Sequence, residues 1–159
     1  MSRAFEDFPV GTRLVSGEAA ISADEIVAFA RRYDPQPFHL VSDPGENLLG
    51  GLVASGWQTA SVSMRLFIDT MQVPGGIIGR AIDELRWPAP VNPGDRIRVE
   101  IEILEARLSK SKPGYGIVRY RCVTLNQDDK IVQSFLALVL IPTRNHMGGE
   151  GLEPPTNTV

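Results

Sequence analysis

Between residues 96 and 108, apolar and charged side chains alternate. Ile97, Val99, Ile101 and Ile103 interleave with Arg96, Arg98, Glu100 and Glu102. A period of two sends these sets to opposite faces of a strand, one toward a core and one toward water. Similar patterns predict strands over 115–125 and 131–141, joined by a turn at Asn126-Gln127-Asp128-Asp129. Both faces of 131–141 are apolar, which predicts a strand inside the sheet or one covered on both sides. Residues 77–87 give another strand, closed by the rigid turn Pro88-Ala89-Pro90-Val91-Asn92-Pro93-Gly94-Asp95. Residues 12–21 suit one more.

Two segments follow the helical period instead. Ser22 begins the first, with Glu25 three residues later as in a capping box. Ile26, Phe29, Ala30 and Tyr33 continue it until Pro35 and Pro37, which cannot extend a helix. Residues 34–39 are therefore expected to be a stiff extended or turn segment. A loop over 40–51 ends in Gly50-Gly51. The second helix runs from about Ser55 to Met71, with Trp57, Ala60, Met64, Phe67 and Met71 on one face. The small residues Ala60, Ser61 and Ser63 would let a sheet approach closely. Residues 1–11 read as an irregular lead-in. Residues 143–159, rich in Gly, Pro and Asn, read as a tail that is mobile or lies along the surface. The element order is a strand, a short helix, a long apolar helix and then four strands. An α+β domain over 1–142 follows, with antiparallel strands around the long helix. The pattern alone does not specify the topology.

Composition narrows the function. The formal net charge is −3, and no basic run of five or more residues occurs. Nothing therefore points to nucleic acid or to an anionic membrane surface. A local basic patch would still suffice for a phosphorylated ligand. The single Cys122 excludes an intramolecular disulfide, and its alternating surroundings read it as a buried strand residue. No apolar run approaches the roughly 20 residues that span a bilayer. Met1 to Gly11 has no apolar core like a signal peptide, so a cytoplasmic location is the expectation.

Asp34 and His39 lie five residues apart with two prolines between them. A stiff segment at a helix end can hold two polar side chains at one place. Acid–base chemistry needs that arrangement: one group to activate water and one to deliver or accept a proton. Structural roles fit the same residues, an Asx-turn for Asp34 and a satisfied loop position for His39, and spacing does not decide between the readings. Gly50-Gly51-Leu52-Val53-Ala54-Ser55-Gly56-Trp57 leads into the long helix. The first amides of a helix lack internal partners, and the helix dipole makes that end partly positive. With no side chain, Gly56 would let a ligand oxygen reach its N–H, as in an oxyanion hole. An ordinary N-cap at Ser55 with a turn glycine is the alternative.

Tyr33-Asp34-Pro35-Gln36-Pro37-Phe38-His39 resembles the hydratase motif of the MaoC-like dehydratases, the (R)-specific enoyl-CoA hydratase family. The likeness extends to Leu52-Val53-Ala54-Ser55-Gly56, to Glu84-Leu85-Arg86-Trp87 and to Pro90-Val91-Asn92-Pro93-Gly94-Asp95, in the same order, and covers roughly residues 5–142. The resemblance implies a hotdog fold, a curved antiparallel sheet around one long helix, and a homodimer with active sites at its interface. It implies that Asp34 and His39 are the catalytic pair and that the Gly56 amide holds a thioester oxygen. Gln36, Ser55 and Trp57 would flank the substrate.

The implied activity is hydration of a trans-2-enoyl-CoA, or dehydration of a 3-hydroxyacyl-CoA. Coenzyme A would enter only as part of the substrate, with no metal or redox cofactor. This chain has Gln36 where the family usually has Asn, and Ser55-Gly56 where it often has His-Gly. Two other activities fit the same fold: an acyl-CoA thioesterase, and a non-catalytic acyl-CoA-binding member. Arg31, Arg32, Arg86, Lys110 and Lys112 are candidates for the coenzyme A phosphates, or else ordinary surface charge.

Overall fold

The computed structural model describes residues 2–41, 43 and 47–150. After a 3-10 turn, Phe5–Asp7, come β1 (Arg13–Val15), β2 (Ala19–Ala20), α1 (Ala23–Tyr33), α2 (Pro37–Leu40) and α3 (Gly56–Met71). Strands β3 (Ile78–Arg86), β4 (Arg96–Leu108), β5 (Tyr115–Leu125) and β6 (Ile131–Pro142) follow, then α4 (Arg144–Glu150). The sheet is antiparallel in the order β1-β4-β5-β6-β3, with β2 also paired to β4. It curves around α3, which packs on β4 and β6. This is the hotdog arrangement.

The alternation in β4 is realised: Ile97, Val99, Ile101 and Ile103 are buried against α3, and their charged neighbours face outward. Strand β6 lies inside the sheet between β5 and β3, as its two apolar faces require. Three expectations need amendment, and the start of the tail gains detail. The strand over 12–21 is broken in two, because the Ser16 hydroxyl replaces a backbone carbonyl as acceptor for the Val99 N–H at 2.8 Å. Pro37 does not keep residues 34–39 from being helical; it starts the one-turn α2 from its first position. There its missing N–H costs nothing and its fixed φ suits a helix. The apolar face of α3 is rotated from the one anticipated. Phe67 and Met71 are buried, but so are Gln58, Thr59, Ser63 and Leu66, while Trp57 and Met64 are exposed. The small Ser63 lets helix and sheet meet, its Oγ 2.8 Å from Thr124 Oγ1. Finally, the tail begins as a helix, α4. The Arg144 guanidinium bonds Asp7, and the His146 ring lies against Tyr115. Residues 151–159, and with them the rest of the expected tail, lie outside the described residues, as do positions 42 and 44–46 of the expected loop.

Helix α1 carries the first site residue at its C-terminal end, so its cap bears on the site. Ser22 Oγ accepts the Glu25 N–H at 3.1 Å, and Glu25 reaches back to the Ser22 N–H, completing the capping box. Ser22→Ala is expected to cost about 1 kcal/mol of stability, read from the urea midpoint at constant m-value.

Candidate active site

Asp34 is the C-cap of α1, its N–H bonded to Ala30 O at 2.9 Å. Two residues on, α2 turns His39 back toward it. Residues 52–55 then run beside α2, tied by the Val53 N–H to Phe38 O at 2.9 Å. The Ala54 N–H bonds Val91 O at 2.9 Å, which fastens the same stretch to the turn before β4. Three segments distant in sequence thus meet at the start of α3.

The Asp34 carboxylate is the hub. Its Oδ1 accepts from Gln36 Nε2 at 2.6 Å, and its Oδ2 accepts from Ser55 Oγ at 2.8 Å. His39 Nε2 lies 3.3 Å from Oδ2. Burial pushes the Asp34 pKa up, but the Gln36 and Ser55 hydrogen bonds and the His39 charge outweigh it, so the net shift is downward. His39 is buried, and its Nδ1 lies 2.7 Å from Val53 O. A carbonyl only accepts, so Nδ1 carries a hydrogen; in the charged ring Nε2 carries the second one and turns it to Asp34. Ser55 is also the N-cap of α3, its Oγ accepting the Trp57 N–H at 3.3 Å.

Among the described residues, the Gly56 N–H has no protein acceptor. It stands at the positive end of a 16-residue helix. Gly56 and His39 both line a cleft of about 380 Å³, walled by Leu48, Leu49, Thr59, Trp87 and Pro88–Val91. One wall of the cleft thus carries a free backbone donor and another an imidazole backed by a carboxylate. That arrangement can move protons at a substrate whose carbonyl oxygen lies on Gly56.

The MaoC like domain profile matches residues 7–125. The chain belongs to the MaoC-like family. Among solved structures, a MaoC-like dehydratase from Rhodospirillum rubrum is 42% identical, with a TM-score of 0.85 over 90% of this chain and 99% of that one. The unliganded (R)-hydratase PhaJ1 from Pseudomonas aeruginosa shares the fold at 24% identity and a TM-score of 0.73, over 89% of this chain and 86% of its own. An uncharacterized Bacillus subtilis protein, YdeM, is 26% identical over 85% of this chain and 96% of its own length.

In this MaoC-like chain the structure brings Asp34, Gln36, His39 and Ser55 into one hydrogen-bonded group and sets His39 and Gly56 on one cleft. Gln36 and Ser55, expected beside the substrate, each direct a polar atom to Asp34. Trp57 is 59% exposed, outside the cleft lining, with its ring edge-on to Trp87 at 5.2 Å. Of the five basic candidates, none is among the described residues lining the cleft. Arg86 pairs with Glu84, Arg32 lies over Tyr33, and Lys112 borders a separate small cleft with Arg80. Trp87, Thr59 and the Val53 carbonyl were not foreseen as parts of the site. The sequence marked Glu84-Leu85-Arg86-Trp87 only as part of the family likeness, with no role at the site.

Cys122 faces the core, away from this chemistry. Burial pushes its thiol pKa up to about 12. The native protein is expected to leave a disulfide reagent uncoloured at pH 8, and to titrate one thiol per chain in guanidinium. Fast native labelling would contradict its placement.

Proposed function

We propose that this protein is a hydro-lyase that adds water reversibly to a trans-2-enoyl-CoA to give a 3-hydroxyacyl-CoA. The observation that carries the reading is the pairing of the Asp34–His39 group with the unpartnered Gly56 N–H. The thioester oxygen lies on that N–H, and a water is held against the Asp34–His39 pair from the cleft side. As the water oxygen bonds the β-carbon, Asp34 takes its proton. The electron pair of the double bond moves toward the carbonyl, and the α-carbon takes a proton from the Nε2 side of His39. A proton passed back across the Asp34–His39 gap restores the pair. Charge builds on the thioester oxygen in the transition state, so the Gly56 donor acts where it lowers the barrier. Gln36 and Ser55 serve the substrate by holding Asp34, and Trp57 flanks the entrance. Coenzyme A enters only as part of the substrate.

A homodimer belongs to the same proposal. Among the described residues, strand β3 ends the sheet with one edge unpaired, and its residues 78–84 are all exposed. Beside it the exposed Trp57, Met64 and Ile68 of α3 continue into Ile78 and Ile82 of β3. Between α3 and β3 runs a groove of about 300 Å³ lined by Met64, Phe67, Ile68 and Ile82. A contiguous apolar face beside an open strand edge suits a second copy of the chain. A cytoplasmic location is proposed with it; no helix among the described residues is long and apolar enough to cross a membrane.

Crotonyl-CoA separates the activities. Loss of enoyl absorbance without free thiol is the expected result. Free thiol would make the protein a thioesterase, and binding without turnover across saturated, unsaturated and branched thioesters would make it a binding member of the family.

A further inference from the structure

We propose that Gln133, on β6, is a positioning residue for the thioester-oxygen donor and acts on it through Trp87. The proposal rests on the assignment of that donor to Gly56. Trp87, directly after β3, lies on the start of α3: a Cβ built on Gly56 would sit 2.5 Å from Cε2, 2.7 Å from Cδ2 and 2.8 Å from Cζ2 of the indole. Only a glycine admits a ring so close. The ring is tied down beside that contact: Nε1, the atom bonded to Cε2, donates to Gln133 Oε1, 46 residues away, at 2.8 Å.

The amide orientation follows from chemistry, since an indole N–H only donates and so needs the amide oxygen before it. Gln133 is 0% exposed, and among the described residues its Nε2 has no partner. An unmet buried donor is unfavourable, and an apolar side chain at 133 would avoid it. Packing alone therefore does not account for a glutamine here. Trp87 is 41% exposed, so its N–H has an alternative partner in water if the ring swings outward, away from Gly56. The buried acceptor selects the inward position. There the ring covers the first residue of α3 and forms one wall of the cleft that His39 and Gly56 share. It fixes the first peptide of the helix and keeps water from one side of the free N–H, which strengthens that donor toward a developing negative charge.

The chain has two tryptophans, so two indole N–H resonances report on the clamp directly. In the wild-type protein the Trp87 indole proton, assigned by its loss in Trp87→Phe, should exchange slowly with solvent. In Gln133→Met, which keeps length without an acceptor, it should exchange fast. With crotonyl-CoA, Gln133→Met should lower kcat roughly tenfold with KM within about twofold, since a misplaced transition-state donor leaves ground-state binding alone. Trp87→Phe, which keeps a ring without the N–H, should lose a similar factor, and the double variant should lose little more than either single one. A wild-type kcat in folded Gln133→Met or in Trp87→Phe overturns the positioning role while the hydratase reading stands. A wild-type protein inactive on every thioester overturns both. If Gln133→Met does not fold, Trp87→Phe decides alone.

Discussion

On the proposed mechanism, Asp34→Asn is expected to lower kcat for enoyl thioester hydration about 10³-fold, with KM little changed and the thermal midpoint retained. Asparagine has nearly the shape of aspartate, and its oxygen still accepts one of the two bonds that hold the carboxylate. What it lacks is basicity. It cannot take the proton that the adding water must lose, and it gives His39 no counter-charge. A packing role would predict the reverse, lost stability with activity kept in the folded fraction. Comparing kcat with the urea midpoint therefore separates the two roles, and a near-wild-type rate in Asp34→Asn would remove Asp34 from the mechanism.

On the proposed mechanism the same carboxylate should set the acid limb of the pH profile. Burial raises its pKa, but the hydrogen bonds from Gln36 and Ser55 and the His39 charge more than offset that, leaving it below the usual 3.8. Carboxylate-dependent activity should therefore persist below the usual carboxylate range. Gln36→Leu and Ser55→Ala should each move the acid limb of kcat/KM upward, since each removes a bond to the charged form. The stability sign agrees. With the folded-state pKa depressed, Asp34 contributes stability that is present above its unfolded pKa and lost as pH falls through the folded value.

How much of this was legible depended on the range over which each feature is decided. The capping box at Ser22–Glu25 is decided within four residues and the alternation of β4 within eight, and both could be read directly. The face that α3 buries is not local. The helix is apolar on more than one side, and the sheet chose the side with Thr59 and Ser63, leaving Trp57, Met64 and Ile68 outside. Breaking the strand over 12–21 took a hydroxyl of Ser16 competing for a ladder position on β4. At the site, spacing and prolines left Asp34 and His39 undecided, and only the family resemblance paired them; the one-turn α2 that turns His39 back was not expected. The Ser55–Asp34 bond closes across 21 residues, and Trp87–Gln133 across 46. Contacts of that range leave no periodic trace, so the residue types were visible while their partners were not.

Gly56→Ala carries the other large effect, and its sign runs against helix propensity. Gly56 opens α3 without a positive φ, where alanine ordinarily gains up to about 1 kcal/mol. Here the new methyl would meet three indole atoms of Trp87 at 2.5–2.8 Å. An indole is rigid, and this one is held by its bond to Gln133 and by the edge of Trp57, so it cannot yield as a flexible chain end would. Overpacking of that kind costs about 1–3 kcal/mol, which exceeds the propensity gain, so net destabilisation is expected. Relief by ring or helix displacement moves the free N–H relative to the cleft. A shift of about 1 Å at such a donor is worth roughly a hundredfold in kcat. The cause can be isolated with Trp87→Val, which removes the ring. In that background Gly56→Ala should turn neutral or stabilising by thermal melt. If it stays as destabilising as in the wild-type chain, glycine is held at position 56 by something other than Trp87.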